Sequence, residues 1–358
     1  MNPTNSLAED LDHILTNTRD LWEELRGQRI FITGGTGFFG CWLLESFAWA
    51  NDKLNLDASA LVLSRNPEAF KKKAPHLYHH RAIEFHKGNV QDFDYPEGRF
   101  SHLIHGAVYQ PPANETPGNL VMVNEMLAGT KRVFDFCVKA EVSKTLLIST
   151  GAVYGPPPPG LEKIHESLSE SIDPSEPASA YHQVRRMMEL LAVLSAMEQG
   201  FAVKIARGFA FLGPYLPLNG RFASGDFIGD ALSGNPLAVK GNGKPLRSYM
   251  YAADLAIWLW TILFQGKSGR PYNVGSEIPT TILELAEKIA GAVHPPLHVH
   301  VSGKSLSGVA PDRYLPDTTR AQTELGLNQF INLESAIRKT LTYARFDTGR
   351  QAMVVSSR

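Results

Sequence analysis

The stretch R29-IFITGGTGFFGCWLLES-F47 decides the fold. Five residues rich in β-branched and aromatic side chains, Arg29 to Thr33, run into Gly34, Gly35, Gly37 and Gly40, and an apolar helical pattern follows at once. The glycines allow a tight turn, a close approach of backbone to an anion and close packing of helix on strand, while the helix start offers free N–H groups. Glycines alone would be weak evidence. Between a strand and a helix they point to a turn that cradles a dinucleotide pyrophosphate.

The same alternation continues downstream. Apolar runs at 60–64 (ALVLS), 82–86 (AIEFH), 102–106 (HLIHG), 145–150 (TLLIST) and 202–207 (AVKIAR) are separated by helical patterns. Strands spaced by helices predict a parallel sheet of right-handed crossovers, an α/β Rossmann-type doubly wound sheet. Residues 6–26 read as an amphipathic helix stopped by Gly27. The predicted layout is a helical extension (1–27), a dinucleotide-binding domain (28–208), a smaller α/β region mainly for substrate (209–345, some segments returning to the first domain) and a tail at 346–358. The segment GPPPPG (155–160) and the Ser/Glu/Pro-rich run to Pro177 predict a loop over the strand ends, bordering a site.

Composition narrows the function classes. With 358 residues, 43% hydrophobic and 20% charged, and a net charge of −1, the chain has a full-sized core and no basic field for a nucleic-acid backbone. No apolar run is long enough for a membrane span, and the start MNPTNSLAEDLDHIL is polar and acidic, so a cytoplasmic enzyme is expected. Cys41 and Cys137 show no pairing pattern and read as core residues. His165, His182 and the group at 294, 298 and 300 lack metal-ligand spacing, so no metal is expected. At the end of the second strand, LVLSRNP places Ser64 and Arg65 where an acid would bind a ribose 2′-hydroxyl, which favours NADP(H) over NAD(H), with NAD(H) still possible.

Taken together, these motifs resemble an extended short-chain dehydrogenase/reductase of the NAD(P)-dependent nucleotide-sugar epimerase/dehydratase group, over roughly residues 28–345. GGTGFFG, with Gly34, Gly37, Phe38, Phe39 and Gly40, is similar to its cofactor turn. GNV, with Asn89 and Val90, resembles its adenine-contacting segment, and HGA (His105, Gly106, Ala107) the segment beside the cofactor. Asn124 in VNEMLAGT resembles the Asn of its NxxGT helix, STGAVYG (149–155) its strand end, and YNVGS (272–276) a later motif. GNGKPLRSYMYAADLA (241–256) and PDRYLPDTTRAQTELGL (311–327) are similar to its C-terminal segments, with Arg247 and Arg313 as candidates for a substrate diphosphate.

The resemblance implies a nucleotide diphosphate sugar as substrate, hydride transfer at a sugar carbon such as C4, and Thr150, Tyr181 and Arg185 as the catalytic group. Tyr181 would be the acid/base and a further cofactor contact, with Thr150 positioning the hydroxyl. Arg185 stands at the family's lysine, also touching cofactor, and that exchange is not conservative. Gly151 and Ala152 replace the Asp-Glu pair of 4,6-dehydratases, which disfavours standard dehydration and leaves a 4-keto reductase or an epimerase. Ala210 replaces an Asn that often contacts substrate. The alternative is a dinucleotide-binding scaffold or sensor whose catalysis is impaired by Arg185. A homodimer is expected through helices near 117–140 and 180–199, with Val133, Phe134, Phe136, Met187, Met188, Leu191 and Leu194 either as its seam or as intramolecular core.

Overall fold

The computed structural model describes residues 5–109, 118–169, 172–218, 222–303 and 312–356, with the side chains of 347–356 excepted. Its centre is a seven-stranded sheet: β1 (Arg29–Thr33), β2 (Ser59–Ser64), β3 (Ile83–Lys87), β4 (His102–His105), β5 (Lys144–Thr150), β6 (Ala202–Gly208) and β7 (Pro271–Val274). The order is β3-β2-β1-β4-β5-β6-β7, and every pairing is parallel. The winding direction reverses between β1 and β4. In open α/β sheets that crevice, at the carboxyl ends of the strands, is where ligands bind.

Alternation along the strands divides the core into two layers. Ile30, Ile32, Ala60, Val62, Leu146 and Ile148 face one layer, with Trp42, Phe47 and Trp260. Phe31, Leu61, Leu63, Leu147 and Val203 face the other, with Phe134 and Phe136. The Phe31 ring lies 4.8 Å from Phe136 and 5.7 Å from Phe100. Truncating so enclosed a ring would cost about 3–5 kcal/mol. Both cysteines are free and buried, and burial pushes their thiols up, to about 11 for Cys41 and about 12 for Cys137.

Residues ahead of β1 do not form one helix. The helix Ala8–Thr18 gives way to a 3-10 turn, Arg19–Leu25. Thr18 explains the break: its Oγ1 donates to the Ile14 carbonyl at 2.7 Å and accepts from Trp22 Nε1 at 2.9 Å, so side-chain bonds compete with the helical ladder. Leu11, Ile14 and Trp22 are buried, the last with its ring 4.6 Å from that of Trp260 in the helix Ala252–Gln265 and tilted 55° to it. Asp10 receives the Tyr251 hydroxyl at 2.7 Å and Lys339 at 2.9 Å, which fastens this extension to later parts of the chain.

After β6 the chain forms short pieces: Leu237–Val239 beside Val299–Val301, Leu246–Arg247 antiparallel to Thr280–Thr281, and the helices Ala223–Ser233 and Ile282–Gly291. The helix Ala252–Gln265 and β7 lie on the main sheet, although both come from the stretch assigned above mainly to substrate. The structure divides the candidate seam residues between core and surface. Val133, Phe134, Phe136 and Met188 are buried in the chain's own core, Leu191 is half-buried, and Met187 and Leu194 are exposed. One helical period serves a core stripe and an interface stripe alike, so spacing could not separate them.

Candidate active site

A cleft of about 240 Å³ opens at the winding reversal, lined by Gly34, Thr36, Gly37, Ser64, Arg65, Gly88 to Gln91 and Gly106 to Tyr109. Its floor requires glycine. Gly34 has φ +75°, and a Cβ there would sit 2.4 Å from the Gly106 carbonyl carbon. A Cβ at Gly40 would sit 2.4 Å from the Gly34 oxygen and from Gly35, so the helix Phe38–Leu54 packs directly on the turn and aims its N-terminus at the cleft. A narrow glycine floor at a helix N-terminus suits a pyrophosphate.

The structure brings together most of the expected cofactor residues, though not all as cleft lining. Ser64 is buried, its Oγ accepting from the Asn66 N–H at 3.3 Å, and Arg65 is exposed at the rim. Asn89 Oδ1 accepts from the Val90 N–H at 2.9 Å, which shapes that turn. Phe38, Phe39 and Gly40 lie behind the turn, with the Phe39 ring 4.9 Å from Phe211. His105 is also behind it. Its Nδ1 bonds Thr33 Oγ1 at 2.8 Å, and the same Thr33 oxygen accepts from the Ala107 N–H at 3.2 Å, so His105 braces the two loops instead of touching the cleft. Burial first, and then the Arg185 charge, depress the His105 pKa to about 3, so its ring is neutral. Asn124 is not brought to the cleft. It is exposed on the helix Asn119–Lys139, while Met126, three residues before Gly129, is the buried position.

Beside the cleft, Thr150 ends β5, and its Oγ1 accepts from the Ala152 N–H at 3.2 Å. Tyr181 lies in the first turn of the helix Ala180–Gln199 and is 37% exposed. The neighbouring His182 Nδ1 donates to the Ala152 carbonyl at 2.6 Å, which docks that turn against the β5 end. Arg185 is only 2% exposed. Its Nη2 donates to the Ile148 carbonyl at 2.9 Å and its Nη1 reaches Met188 Sδ at 3.7 Å, whereas Nε has no partner among the described residues. Burial lowers the pKa of this guanidinium, and the nearby Tyr181 and Glu189 oppose the shift.

Tyr314, which sequence reading passed over, belongs to the same group. Its hydroxyl lies over Gly151, 2.5 Å from where a Cβ would sit, and burial holds its phenol above the ordinary range. Arg247 and Arg313 flank it: Leu246 and Arg313 form a backbone bridge, Arg247 Nη2 pairs with Asp312 at 2.7 Å, and the Arg247 guanidinium lies 5.8 Å from the Tyr314 ring. Below, Tyr154 donates to Asn273 Oδ1 at 2.7 Å and accepts from Arg207, which also clasps Glu189 at 2.6 Å. Asn273 Nδ2 in turn donates to the carbonyls of Ile164 and Asp317 at 2.8 and 3.0 Å. The VYG and YNVGS motifs therefore meet as one hydrogen-bonded support under the strand ends.

Residues 30–275 match the NAD dependent epimerase/dehydratase family. The chain belongs to that family. Among its relatives, UDP-glucuronic acid decarboxylase 1 of Danio rerio is 28% identical over 326 residues, covering 91% of this chain and 74% of the relative. UDP-glucose 4-epimerase of Thermotoga maritima, solved with UDP-glucose, superposes with a TM-score of 0.71 at 20% identity, covering 89% of this chain and 99% of that one. The UDP-glucose 4-epimerase of Thermus thermophilus, solved in complex with NAD, gives 0.70 at 21%, covering 88% and 99%. These likenesses establish the extended short-chain dehydrogenase/reductase fold of the epimerase/dehydratase family. Among the described residues there is no metal-binding cluster and no helix long and apolar enough to cross a membrane.

Proposed function

We propose that the chain is an NAD(P)-dependent enzyme acting on a nucleotide diphosphate sugar, with hydride transfer at a sugar carbon, C4. The observation that carries this reading is the gathering of Thr150, Tyr181 and Arg185 at the end of β5, next to a cleft whose glycine floor fits a dinucleotide. The bound nicotinamide supplies a hydride acceptor and donor. Tyr181 moves the proton at the sugar hydroxyl, Thr150 orients that hydroxyl, and Arg185 is a fixed cation near the phenol. Arg247 and Arg313 stand ready for the diphosphate, to which a guanidinium forks well. Arg65 at the rim favours NADP(H), with NAD(H) usable.

The outcome of the reaction is reduction of a 4-keto sugar or epimerisation, since Gly151 and Ala152 lack the proton-transferring groups that dehydration needs. The chain acts as a homodimer. Leu120, Val121, Met187, Leu190, Leu194 and Met197, all exposed on the helices Asn119–Lys139 and Ala180–Gln199, supply the seam. Turnover is tested with UDP-glucose, UDP-N-acetylglucosamine, UDP-glucuronate, dTDP-glucose and 4-keto dTDP-sugars, with either dinucleotide. Tyr181→Phe should lower kcat by roughly a hundredfold or more and leave dinucleotide affinity nearly unchanged. Absence of turnover with dinucleotide bound would replace this reading by the scaffold alternative.

A further inference from the structure

The helix after β2 carries a second cation to the rim of the dinucleotide cleft. It spans Pro67–Lys73 and is capped by Asn66, whose Oδ1 accepts from the Ala69 N–H at 3.1 Å. The Asn66 N–H is held in turn by Ser64 Oγ at 3.3 Å, so the helix leaves the strand in a fixed direction. Arg65 stands at the start of this connection and lines the cleft. At the other end of the helix, Lys73 reaches back to the glycine turn, and its Nζ donates to the Thr36 carbonyl at 3.0 Å. Thr36 lines the same cleft.

An ammonium has three N–H donors and is best satisfied by an anion. Lys71 on the same helix has one, Glu68 at 4.0 Å. Among the described residues, Lys73 instead has the Thr36 carbonyl and the face of Tyr215, 5.5 Å from the ring centroid, and pairs with no carboxylate. None of the residues lining the cleft is acidic. The rim between β2 and the glycine turn thus carries a cation on each wall and no acid. In a Rossmann fold the adenosine ribose lies between those walls, where an acid would take a 2′-hydroxyl and a cation a 2′-phosphate.

We propose that Lys73 is a cofactor-specificity residue: with Arg65 it closes on a ribose 2′-phosphate from the opposite wall, Lys73 as a point charge and Arg65 as a planar fork. The inference rests on the NADP(H) reading of Arg65 above. The bond to Thr36 holds the ammonium in place beforehand, so little side-chain freedom is lost on binding. The pyrophosphate is left to the glycine floor and the N-terminus of the helix Phe38–Leu54, so Lys73 tells one dinucleotide from the other and does not hold both.

The test titrates NADP+, NAD+, adenosine 2′,5′-bisphosphate and 5′-AMP into wild type, Lys73→Met, Lys73→Arg and Arg65→Met by calorimetry, with a melting temperature for each protein. Lys73→Met should weaken NADP+ and the bisphosphate about tenfold and change NAD+ and 5′-AMP less than about twofold. Lys73→Arg keeps the charge and should hold NADP+ affinity within about threefold of wild type. Unchanged NADP+ affinity in Lys73→Met overturns the inference. So does an equal loss for both dinucleotides, which would make Lys73 a brace of the glycine turn. A loss in Arg65→Met without one in Lys73→Met confines the failure to Lys73. If wild type binds neither 2′-phosphorylated ligand more tightly than its unphosphorylated counterpart, the NADP(H) reading of Arg65 fails, and this inference with it.

Discussion

Arg185→Met is expected to make the folded chain more stable while stopping turnover. The guanidinium is buried, bonds a backbone carbonyl and a thioether sulfur, and leaves Nε without a partner among the described residues. Glu189, the acid in its surroundings, is clasped by Arg207. Removing an ion from water costs several kcal/mol after relaxation, and the charged bond to the Ile148 carbonyl returns only about 1.5–3 kcal/mol. Methionine has a similar reach and packs against Met188 with a penalty under about 1.5 kcal/mol. The balance favours the variant by about 1–2 kcal/mol, which at about 2–4 °C per kcal/mol raises the melting temperature of the free protein by some degrees. Denaturant titration and thermal melting of both proteins without cofactor measure this, with turnover assayed on the same preparations. A variant less stable than wild type by more than about 1 kcal/mol would refute the reasoning and make Arg185 a structural clamp on β5.

Arg65→Asp should weaken NADP(H) binding more than about tenfold, or 1.4 kcal/mol, and spare or improve NAD(H), as read by calorimetric titration; equal affinities before and after would remove Arg65 from cofactor choice. His105 has a folded pKa of about 3 against 6.5 for the free ring, so the unfolded chain takes up the proton first and stability falls as pH drops from about 6.5 toward 3. At pH 5 this costs about 2 kcal/mol relative to neutral pH, and His105→Asn should lose that share of the pH dependence in denaturant titrations at pH 7 and 5. Gly151→Ala forces a methyl against the Tyr314 hydroxyl and the Phe209 ring and should destabilise by about 1–3 kcal/mol; part of this returns when Tyr314→Phe is added, and a fully tolerated alanine would contradict the close packing.

The glycine turn, the parallel strands and the placing of Tyr181 and Arg185 on one helix were legible because each is written within a few adjacent residues. The Tyr314 contact was not. It joins positions far apart in the chain through the bridges Leu246 to Arg313 and Ile164 to Pro316, and no local periodicity encodes a bridge between irregular segments. Asn124 misled for the opposite reason. Its letters fit a family segment, but the spacing to Gly129 sets it on the solvent side of the helix, where Met126 takes the buried place. The extension before β1 looked like one helix because apolar spacing continues through Thr18, and only the side-chain bonds of that threonine reveal the break.

The Asn273 support has a consequence for how the protein is made. All the turns that line the dinucleotide cleft have been translated by residue 109, whereas the bonds that hold the β5 end reach to Asn273 and Asp317. At the ~5–20 residues per second of synthesis, the two events are separated by on the order of 10–40 s. The residues that line the cleft therefore leave synthesis well before those that hold the β5 end, and that support can form only once the last quarter of the chain has been made.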